Sequence, residues 1–280
     1  MLIRGYNMRL CAFADEASVD LAGQINALKR NGIEMLEIRG VDGDNIKDIP
    51  HSKIKEIKRA LDENGLRVWS IGSPCGKADP CVDFGKQLDS FKHICESAQI
   101  LGAKRIRLFS FFTNDEAIAI DRLGQLLMAK PSDIILCHEN EKGIFGDTAE
   151  RCEIIHKALP EIKAIFDPAN FVQCDVDTMH AWELLHPYIE YMHIKDALKD
   201  KRVVRAGYGI GNVEYLVGEY AKLGGEVLTL EPHLMEFCGL AELENGESVS
   251  QIPTYKTNDE AFDAGADALK EILIRGGLWK

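Results

Sequence analysis

The sequence lacks an apolar run long enough to cross a membrane, and its first residues, MLIRGYNMRLCAFADEA, lack the apolar core of a signal peptide. CxxC spacing is also missing among its eight cysteines, and Cys11 and Cys137 lie inside apolar runs. Buried free thiols explain that pattern better than a disulfide framework. We therefore expect a cytoplasmic protein without a membrane-spanning segment.

Basic residues are too few to balance the acidic ones. The chain has 33 lysines and arginines against 45 aspartates and glutamates, a formal charge of −12. A surface this negative repels nucleic-acid backbone and anionic membrane, so neither is expected as a partner. The negative net charge is a property of the whole surface, and a local basic cleft is compatible with it.

Stretches rich in proline, glycine or serine, which would mark a linker between domains, are absent, and so is low-complexity sequence. Hydrophobic residues make up 46% of the 280 residues, enough for a sizeable core. A chain of this length forms one large domain or two small ones, and α/β barrels commonly use it for one. We expect a single domain over residues 1–280.

Short β-rich runs alternate with amphipathic helical segments along the chain. The runs begin at Arg9, Met35, Arg67, Arg105, Ile134, Lys163, Ile189 and Glu226. Helical periodicity covers Leu21–Arg30, Ile54–Glu63, Phe84–Leu101, Asp115–Ala129 and Thr148–Leu159, and glycines at 32, 65, 102 and 224 stand where helix C-terminal caps belong. Eight such units predict an α/β fold, a single (β/α)₈ TIM barrel. A doubly wound open sheet is the main alternative, but no GxGxxG opens a first helix, and GYGIG at 207–211 is predicted to be a loop.

The last four β runs end in metal-ligand side chains. Glu139, Asp167, His193 and Glu231 each stand at the end of a different run, and in barrels of this kind the chemistry lies at the C-terminal ends of the strands. Strand alternation puts Ile135 and Cys137 on the face of Glu139, and Tyr191 and Lys195 on the face of His193. The polar groups therefore cap stacks of side chains in the barrel interior.

Three carboxylates and one imidazole suit a divalent cation. The set carries three negative charges, which favours Mn²⁺, Mg²⁺, Co²⁺ or Zn²⁺. Without a cation, carboxylates packed together raise one another's pKa and repel. A single acidic residue at a strand end is more often a helix N-cap or a solvated rim group, but four on consecutive strands favour the metal interpretation.

The motifs HENEKGIFGDT, FDPANF, MHIKDA and LEPHL, with EIRGVDG and SIGSPCGK upstream, resemble the sugar phosphate isomerase/epimerase family of xylose isomerase-like TIM barrels over nearly the whole chain. The resemblance implies that Glu139, Asp167, His193 and Glu231 bind one metal ion, Mn²⁺ before the others, and that Glu139 and Glu231 also act as acid and base. One departure is Asn170, which stands where ketose 3-epimerases carry a substrate-touching histidine three residues after the metal aspartate. This departure argues against a ketose 3-epimerase substrate preference and leaves the metal site unaffected.

Further residues are candidates for substrate binding, together with Asn170. Glu37 and Arg39 share a face near the end of the second strand, and either hold a substrate group or form a buried ion pair. Lys77 lies in a loop, where a solvated lysine is the default and contact with an anionic substrate group is the alternative. Lys195 lies on the interior face beyond His193, where an unpaired ammonium is costly, so a role in the site is favoured. His233 shares the face of Glu231 and is placed to touch substrate.

The resemblance implies a small-molecule sugar as the partner, and a homo-oligomer is compatible with it. The expected reaction is isomerisation or epimerisation by proton abstraction next to a carbonyl, through an enediolate that the metal stabilises. The same apparatus can expel a β-hydroxyl, so a dehydratase or lyase of a keto-sugar or inosose is the alternative. An endonuclease IV-like phosphodiesterase would need more histidines and a basic groove, and a non-catalytic sugar-binding barrel would not need four aligned ligands.

Overall fold

Eight parallel strands close into a barrel in a computed structural model, which describes residues 7–238, 240 and 255–279. Around the barrel the order is β1, β8, β7, β6, β5, β4, β3, β2, so strands that follow each other in sequence lie side by side. The predicted (β/α)₈ barrel is confirmed. The strands are β1 (Arg9–Ala12), β2 (Met35–Ile38), β3 (Arg67–Ile71), β4 (Arg105–Leu108), β5 (Ile135–Glu139), β6 (Lys163–Phe166), β7 (Ile189–Ile194) and β8 (Val227–Leu230).

Helices follow the strands on the outside of the barrel. In the described residues they are α1 (Leu21–Arg30), α2 (His51–Glu63), α3 (Phe84–Leu101), α4 (Glu116–Ala129), α5 (Ala149–Ala158), α6 (Pro168–Gln173), α7 (Thr178–Leu185), α8 (Val213–Lys222) and α9 (Asn258–Arg275). Single 3₁₀ turns cover Ala14–Glu16, Phe145–Asp147 and His186–Tyr188.

Helix ends match the sequence signals to within three residues. Asp115 and Thr148, counted as helical in the sequence analysis, are N-caps whose side chains accept from Ile118 N and Arg151 N. Helix α2 begins at His51, three residues before the predicted start, because its first turn is polar and the apolar repeat appears only at Ile54. The four predicted C-terminal glycines all have φ between 64° and 88°.

The barrel interior is filled by a cluster separate from the larger core between the strands and the helices. Ile135 and Cys137 belong to it with Tyr191, which confirms the predicted strand faces. All eight cysteines are free. In the described part of the chain, no helix is long and apolar enough to span a membrane.

Two short antiparallel ribbons extend the mouth of the barrel at the C-terminal ends of its strands. One pairs Gly40–Val41 with Asp44–Asn45 after β2, and the other pairs Asp196–Ala197 with Val203–Val204 after β7. The segment at 207–211 is a loop, as predicted. Its backbone N–H groups at 207, 209 and 211 donate to the Asp196 carboxylate, which fixes the loop beside the mouth.

Candidate metal centre

The four residues at the strand ends converge at the mouth of the barrel. Glu139 is the last residue of β5, Asp167 and Glu231 directly follow β6 and β8, and His193 lies near the end of β7. Each offers one ligand atom, and these atoms all lie within 4.8 Å of one another. None of the four residues is more than 2% exposed. Their convergence follows from the topology, because the C-terminal ends of parallel barrel strands meet at one face.

Asp167 shows that this group fits a cation. Its Oδ1 accepts from Asn170 N at 3.0 Å, and its own N–H donates to Asn140 Oδ1 at 2.9 Å, which fixes the backbone and the carboxylate. Oδ2 is fully buried and accepts no hydrogen bond from the described residues, although Lys195 Nζ lies 3.2 Å away. A buried carboxylate oxygen without a hydrogen bond is costly, and a cation would give it a partner. The donor set of three carboxylates and one imidazole suits a hard or borderline divalent ion.

His193 lies in the middle of the group. Its Nδ1 is 2.9 Å from Glu139 Oε1 and 3.4 Å from Glu231 Oε2, whereas its Nε2 is 3.1 Å from Glu37 Oε2. Burial alone would lower the pKa of His193, but the charges of Glu139 and Glu37 raise it well above its ordinary value. One ring nitrogen therefore faces the candidate ligands and the other faces a carboxylate beneath them.

The carboxylates of the centre have strongly different pKa values. Burial raises the pKa of Asp167 to about 6, against the lowering effect of Lys195. For Glu139, burial also raises the pKa, but His193 and Arg107 outweigh it and bring the value to about 2. The group therefore mixes a carboxylate kept ionised by its neighbours with one that needs a further positive charge to stay ionised at low pH.

Two buried arginines hold the glutamates of the centre. Arg39 Nη1 donates to Glu231 Oε1 at 3.0 Å, and Arg107 Nη1 donates to Glu139 Oε2 at 3.1 Å. Both guanidinium groups stack on the Phe13 ring, at 4.3 and 5.3 Å from its centroid. The two arginines are therefore held by packing against Phe13 as well as by their ion pairs.

Arg107 and two of the acidic partners of Arg39, Asp15 and Glu16, are not among the predicted site residues. Asp15 binds Arg39 Nε at 2.8 Å, and Glu16 lies 3.3 Å from Arg39 Nη2. The predicted alternative of an ion pair between Arg39 and Glu37 is not what the structure shows, because Glu37 contacts His193 instead. The sequence does carry a signal for Arg107: it places a charged residue inside the apolar run RIRLFSF, at a position that is buried in the strand.

The other substrate-binding candidates are also at the mouth, each in contact with a protein group. Lys77 Nζ is 2.9 Å from Glu141 Oε2, and Asn170 Nδ2 is 2.9 Å from the carbonyl of residue 140 and 3.4 Å from Glu139 Oε1. His233 has a left-handed backbone, with φ of 47°, and its Nε2 lies 3.3 Å from Glu231 Oε1. Their roles in substrate binding stay predictions.

A second group, Glu16, Glu231 and His233, also has ligand atoms within 4.8 Å of one another. The Arg39 guanidinium already contacts both carboxylates of this group, at 3.3 and 3.0 Å. A metal ion there would stand beside a fixed positive charge, so we interpret this group as an ion-pair network that supports Glu231.

A cavity of about 370 Å³ opens beside the centre, on the side of β1, β2 and β3. Asp15, Arg39 and Lys77 line it, and the ribbon after β2 forms its outer wall with Asp44 and Asp48. The volume is in the range of small-molecule sites, and the lining carries polar groups of both signs.

Comparisons with known proteins agree with this architecture. The family model of the xylose isomerase-like TIM barrel matches residues 25–272, whereas no curated protein matches the chain. Similar solved structures include D-allulose 3-epimerase from Methylomonas sp. in complex with D-allulose, with a TM-score of 0.74 at 15% identity over 96% of this chain and 98% of that one.

Two further similar solved structures are of proteins with names other than epimerase. The IOLI protein with a binding zinc atom has a TM-score of 0.71 at 17% identity, covering 96% of this chain and 99% of that one. The probable 3-DHS dehydratase AsbF of Bacillus anthracis has a TM-score of 0.70 at 14% identity, covering 94% of this chain and 98% of that one. At these identities the likeness shows the fold alone.

Proposed function

The chain belongs to the xylose isomerase-like TIM barrel family, and from that premise we propose that it is a divalent-metal-dependent isomerase or epimerase of a small sugar. The observation that carries the proposal is the convergence of ligand atoms of Glu139, Asp167, His193 and Glu231 within 4.8 Å, with a buried Asp167 oxygen that accepts no hydrogen bond from the described residues. Similar folds include an epimerase with bound D-allulose and a protein with bound zinc. Mn²⁺ is the ion we propose first, with Mg²⁺, Co²⁺ and Zn²⁺ as alternatives.

When bound, a divalent cation at this centre supplies Lewis-acid polarisation of a carbonyl and its neighbouring hydroxyl. Glu139 and Glu231 provide the proton transfer. Each directs one oxygen at His193 and the other at an arginine, so Glu139 Oε2 and Glu231 Oε1 are the oxygens held by Arg107 and Arg39. One of these oxygens takes the proton next to the carbonyl, and the other, after taking up a proton from solvent, delivers it to the same or the adjacent carbon.

The charges at the mouth favour an uncharged sugar over a sugar phosphate. The described residues around the centre, with the Lys77–Glu141 pair, provide seven carboxylates against four lysines and arginines, a formal −3 that a divalent ion brings to −1, and Asp44, Asp48 and Asp196 add more negative charge than Lys47 offsets. Each cation already contacts a carboxylate, and the loop N–H groups after β7, a common phosphate site in TIM barrels, bind Asp196. The carboxylates are Asp15, Glu16, Glu37, Glu139, Glu141, Asp167 and Glu231, and the cations are Arg39, Lys77, Arg107 and Lys195.

A dehydratase acting on a keto-sugar or inosose is the second candidate. The observation that favours it is Lys195, whose ammonium lies 3.2 Å from Asp167 and 3.4 Å from Glu231 and could protonate a departing hydroxyl. Burial lowers its pKa, but these carboxylates raise it well above the ordinary value, so the proton donor is present at neutral pH. The two reactions share the first proton abstraction.

The experiment that tests the proposal is a screen of ketoses, inososes and 3-keto sugars with the Mn²⁺-loaded protein in D₂O. Nuclear magnetic resonance of the sugars follows solvent deuterium at the carbon next to the carbonyl and identifies epimer, isomer or dehydrated product. We expect metal-dependent exchange with at least one class. Turnover that persists at full rate after the metal has been removed by a chelator would contradict the proposal.

A further inference from the structure

We propose that Glu37 is the positioning residue of the metal centre, because its carboxylate holds the His193 ring so that Nδ1 faces the other three ligands. The inference rests on the proposed metal centre and concerns this chain's own residues. Glu37 comes from β2, three strands away from β7 around the barrel, and its Oε2 lies 3.1 Å from His193 Nε2.

The geometry assigns one task to each nitrogen of the ring. With Nε2–H donating to Glu37, the lone pair of Nδ1 is left for a metal ion, and Nδ1 is the nitrogen within 2.9 Å of Glu139 Oε1. A carboxylate behind a metal-binding histidine fixes the tautomer and the ring orientation and makes the ring a better ligand. Phe13 packs edge-on against the same ring, with centroids 5.2 Å apart.

Glu37 is itself held by two hydroxyl groups. Tyr191 Oη donates to Glu37 Oε1 at 2.9 Å and lies 3.0 Å from Ser70 Oγ, which is 3.4 Å from the same carboxylate oxygen. An irregularity in the pairing of β2 with β3 brings Ser70 opposite Glu37, whereas Leu36 pairs with Val68. The extra residue on β3 is Trp69, and the shift that it introduces lets Ser70 supply the hydroxyl that completes this support.

This arrangement gives Glu37 a different role from substrate binding. The residue is 1% exposed, both of its oxygens contact protein groups, and the cavity beside the centre is lined by Arg39, which directly follows the same strand, and not by Glu37. Burying the Glu37 carboxylate costs desolvation free energy. Orienting His193 as a metal ligand is a role that accounts for this cost.

The test is metal affinity measured without any substrate. The full chain is stripped of metal, and the Kd for Mn²⁺ and Co²⁺ is measured by competition with a chromogenic chelator, with the visible spectrum of bound Co²⁺ as a readout of coordination geometry. Glu37→Met removes the acceptor at similar volume and should weaken binding about 10- to 100-fold, the loss typical of such partners. Glu37→Gln keeps an acceptor oxygen for Nε2–H and should lose less.

Two further variants separate positioning from general stability. Tyr191→Phe leaves Glu37 in place with only one of its two hydroxyl donors, and it should weaken binding less than Glu37→Met while changing the Co²⁺ spectrum in the same direction. If Glu37→Met does not fold, Glu37→Gln and Tyr191→Phe carry the test. Glu190→Gln is the matched control, because Glu190 lies on the same strand as His193 and pairs with Arg105 at the other end of the barrel.

Wild-type affinity and spectrum in Glu37→Met, or in both Glu37→Gln and Tyr191→Phe if that variant does not fold, would overturn the inference. A loss of the same size in Glu190→Gln would do so as well, since it would show that removing a carboxylate charge elsewhere on the barrel has the same effect. Failure of the wild type to bind Mn²⁺ or Co²⁺ would instead overturn the metal centre and the proposed function with it.

Discussion

Lys195 Nζ lies 3.2 Å from Asp167 Oδ2, so an ammonium group stands beside a buried carboxylate oxygen that accepts no hydrogen bond from the described residues. The contact partly neutralises Asp167, yet burial still raises the pKa of this carboxyl to about 6. A site that keeps a carboxylate in this state gains from a divalent cation more than a set of fully hydrogen-bonded carboxylates would.

Metal binding should stabilise the protein, and the stabilisation should depend on the proposed ligands. At a free Mn²⁺ concentration of about 100 times Kd, mass action raises the free energy of unfolding by about 2.7 kcal/mol. His193→Ala and Asp167→Ala should lose this increase while remaining folded. The measurement is thermal unfolding with and without Mn²⁺, compared within each variant so that intrinsic changes in stability cancel.

Glu141→Gln is the control for that experiment, because Glu141 lies at the mouth but pairs with Lys77 and not with the ligand group. It should keep the Mn²⁺-dependent increase. An undiminished increase in both ligand variants would show that the ion binds elsewhere.

Acid should destabilise the protein through two buried histidines, one in β5 and one in α5. Burial lowers the pKa of His138 to about 3 and that of His156 to about 4. Because the unfolded chain binds protons near pH 6.5 and the folded chain does not, stability is lost as the pH falls below 6.5. At pH 5 the loss is about 2 kcal/mol for each histidine.

Urea unfolding at pH 7 and pH 5 measures this loss. His156→Gln, which does not titrate, should reduce the difference between the two pH values by about 2 kcal/mol. His180→Gln is the control, since the exposed His180 has its pKa raised by Glu150 and contributes with the opposite sign. An unchanged difference in His156→Gln would contradict the assignment.

The strands and the convergence of the candidate ligands could be predicted because both are local in sequence. A buried run shows its apolar residues directly, and the residue at its end is at the mouth in any parallel barrel, so Glu139, Asp167, His193 and Glu231 are found without knowledge of contacts. The C-terminal glycines of the helices are local for the same reason.

The partners of these residues could not be predicted, because they depend on contacts across the barrel. Arg39 could bind any of several carboxylates, and only the closed barrel shows that it binds Asp15 and Glu231 while Glu37 turns to His193. The β-strand irregularity that brings Ser70 opposite Glu37 has no sequence signal that we recognise.

The substrate should be an uncharged sugar. A phosphate ester brings negative charge to a mouth that already has an excess of carboxylates, and at about 8 Å and an effective dielectric of about 20 each pair of like charges costs about 2 kcal/mol. For any sugar that shows exchange, we expect kcat/KM of its phosphate ester to be at least about tenfold lower. A phosphate ester that reacts faster than its parent sugar would contradict this, while leaving the metal centre intact.

The most direct test of the account compares deuterium exchange by the wild type and by Glu231→Gln at saturating Mn²⁺. With a sugar that the wild type turns over, we expect solvent deuterium at the carbon next to the carbonyl, whether the product is an epimer, an isomer or a dehydrated sugar. Glu231→Gln changes charge more than shape, so it should retain folding and lose exchange by at least about 10²- to 10⁴-fold, as expected for removal of a general acid or base. Exchange at the wild-type rate in Glu231→Gln would contradict the proposed role of this carboxylate in proton transfer.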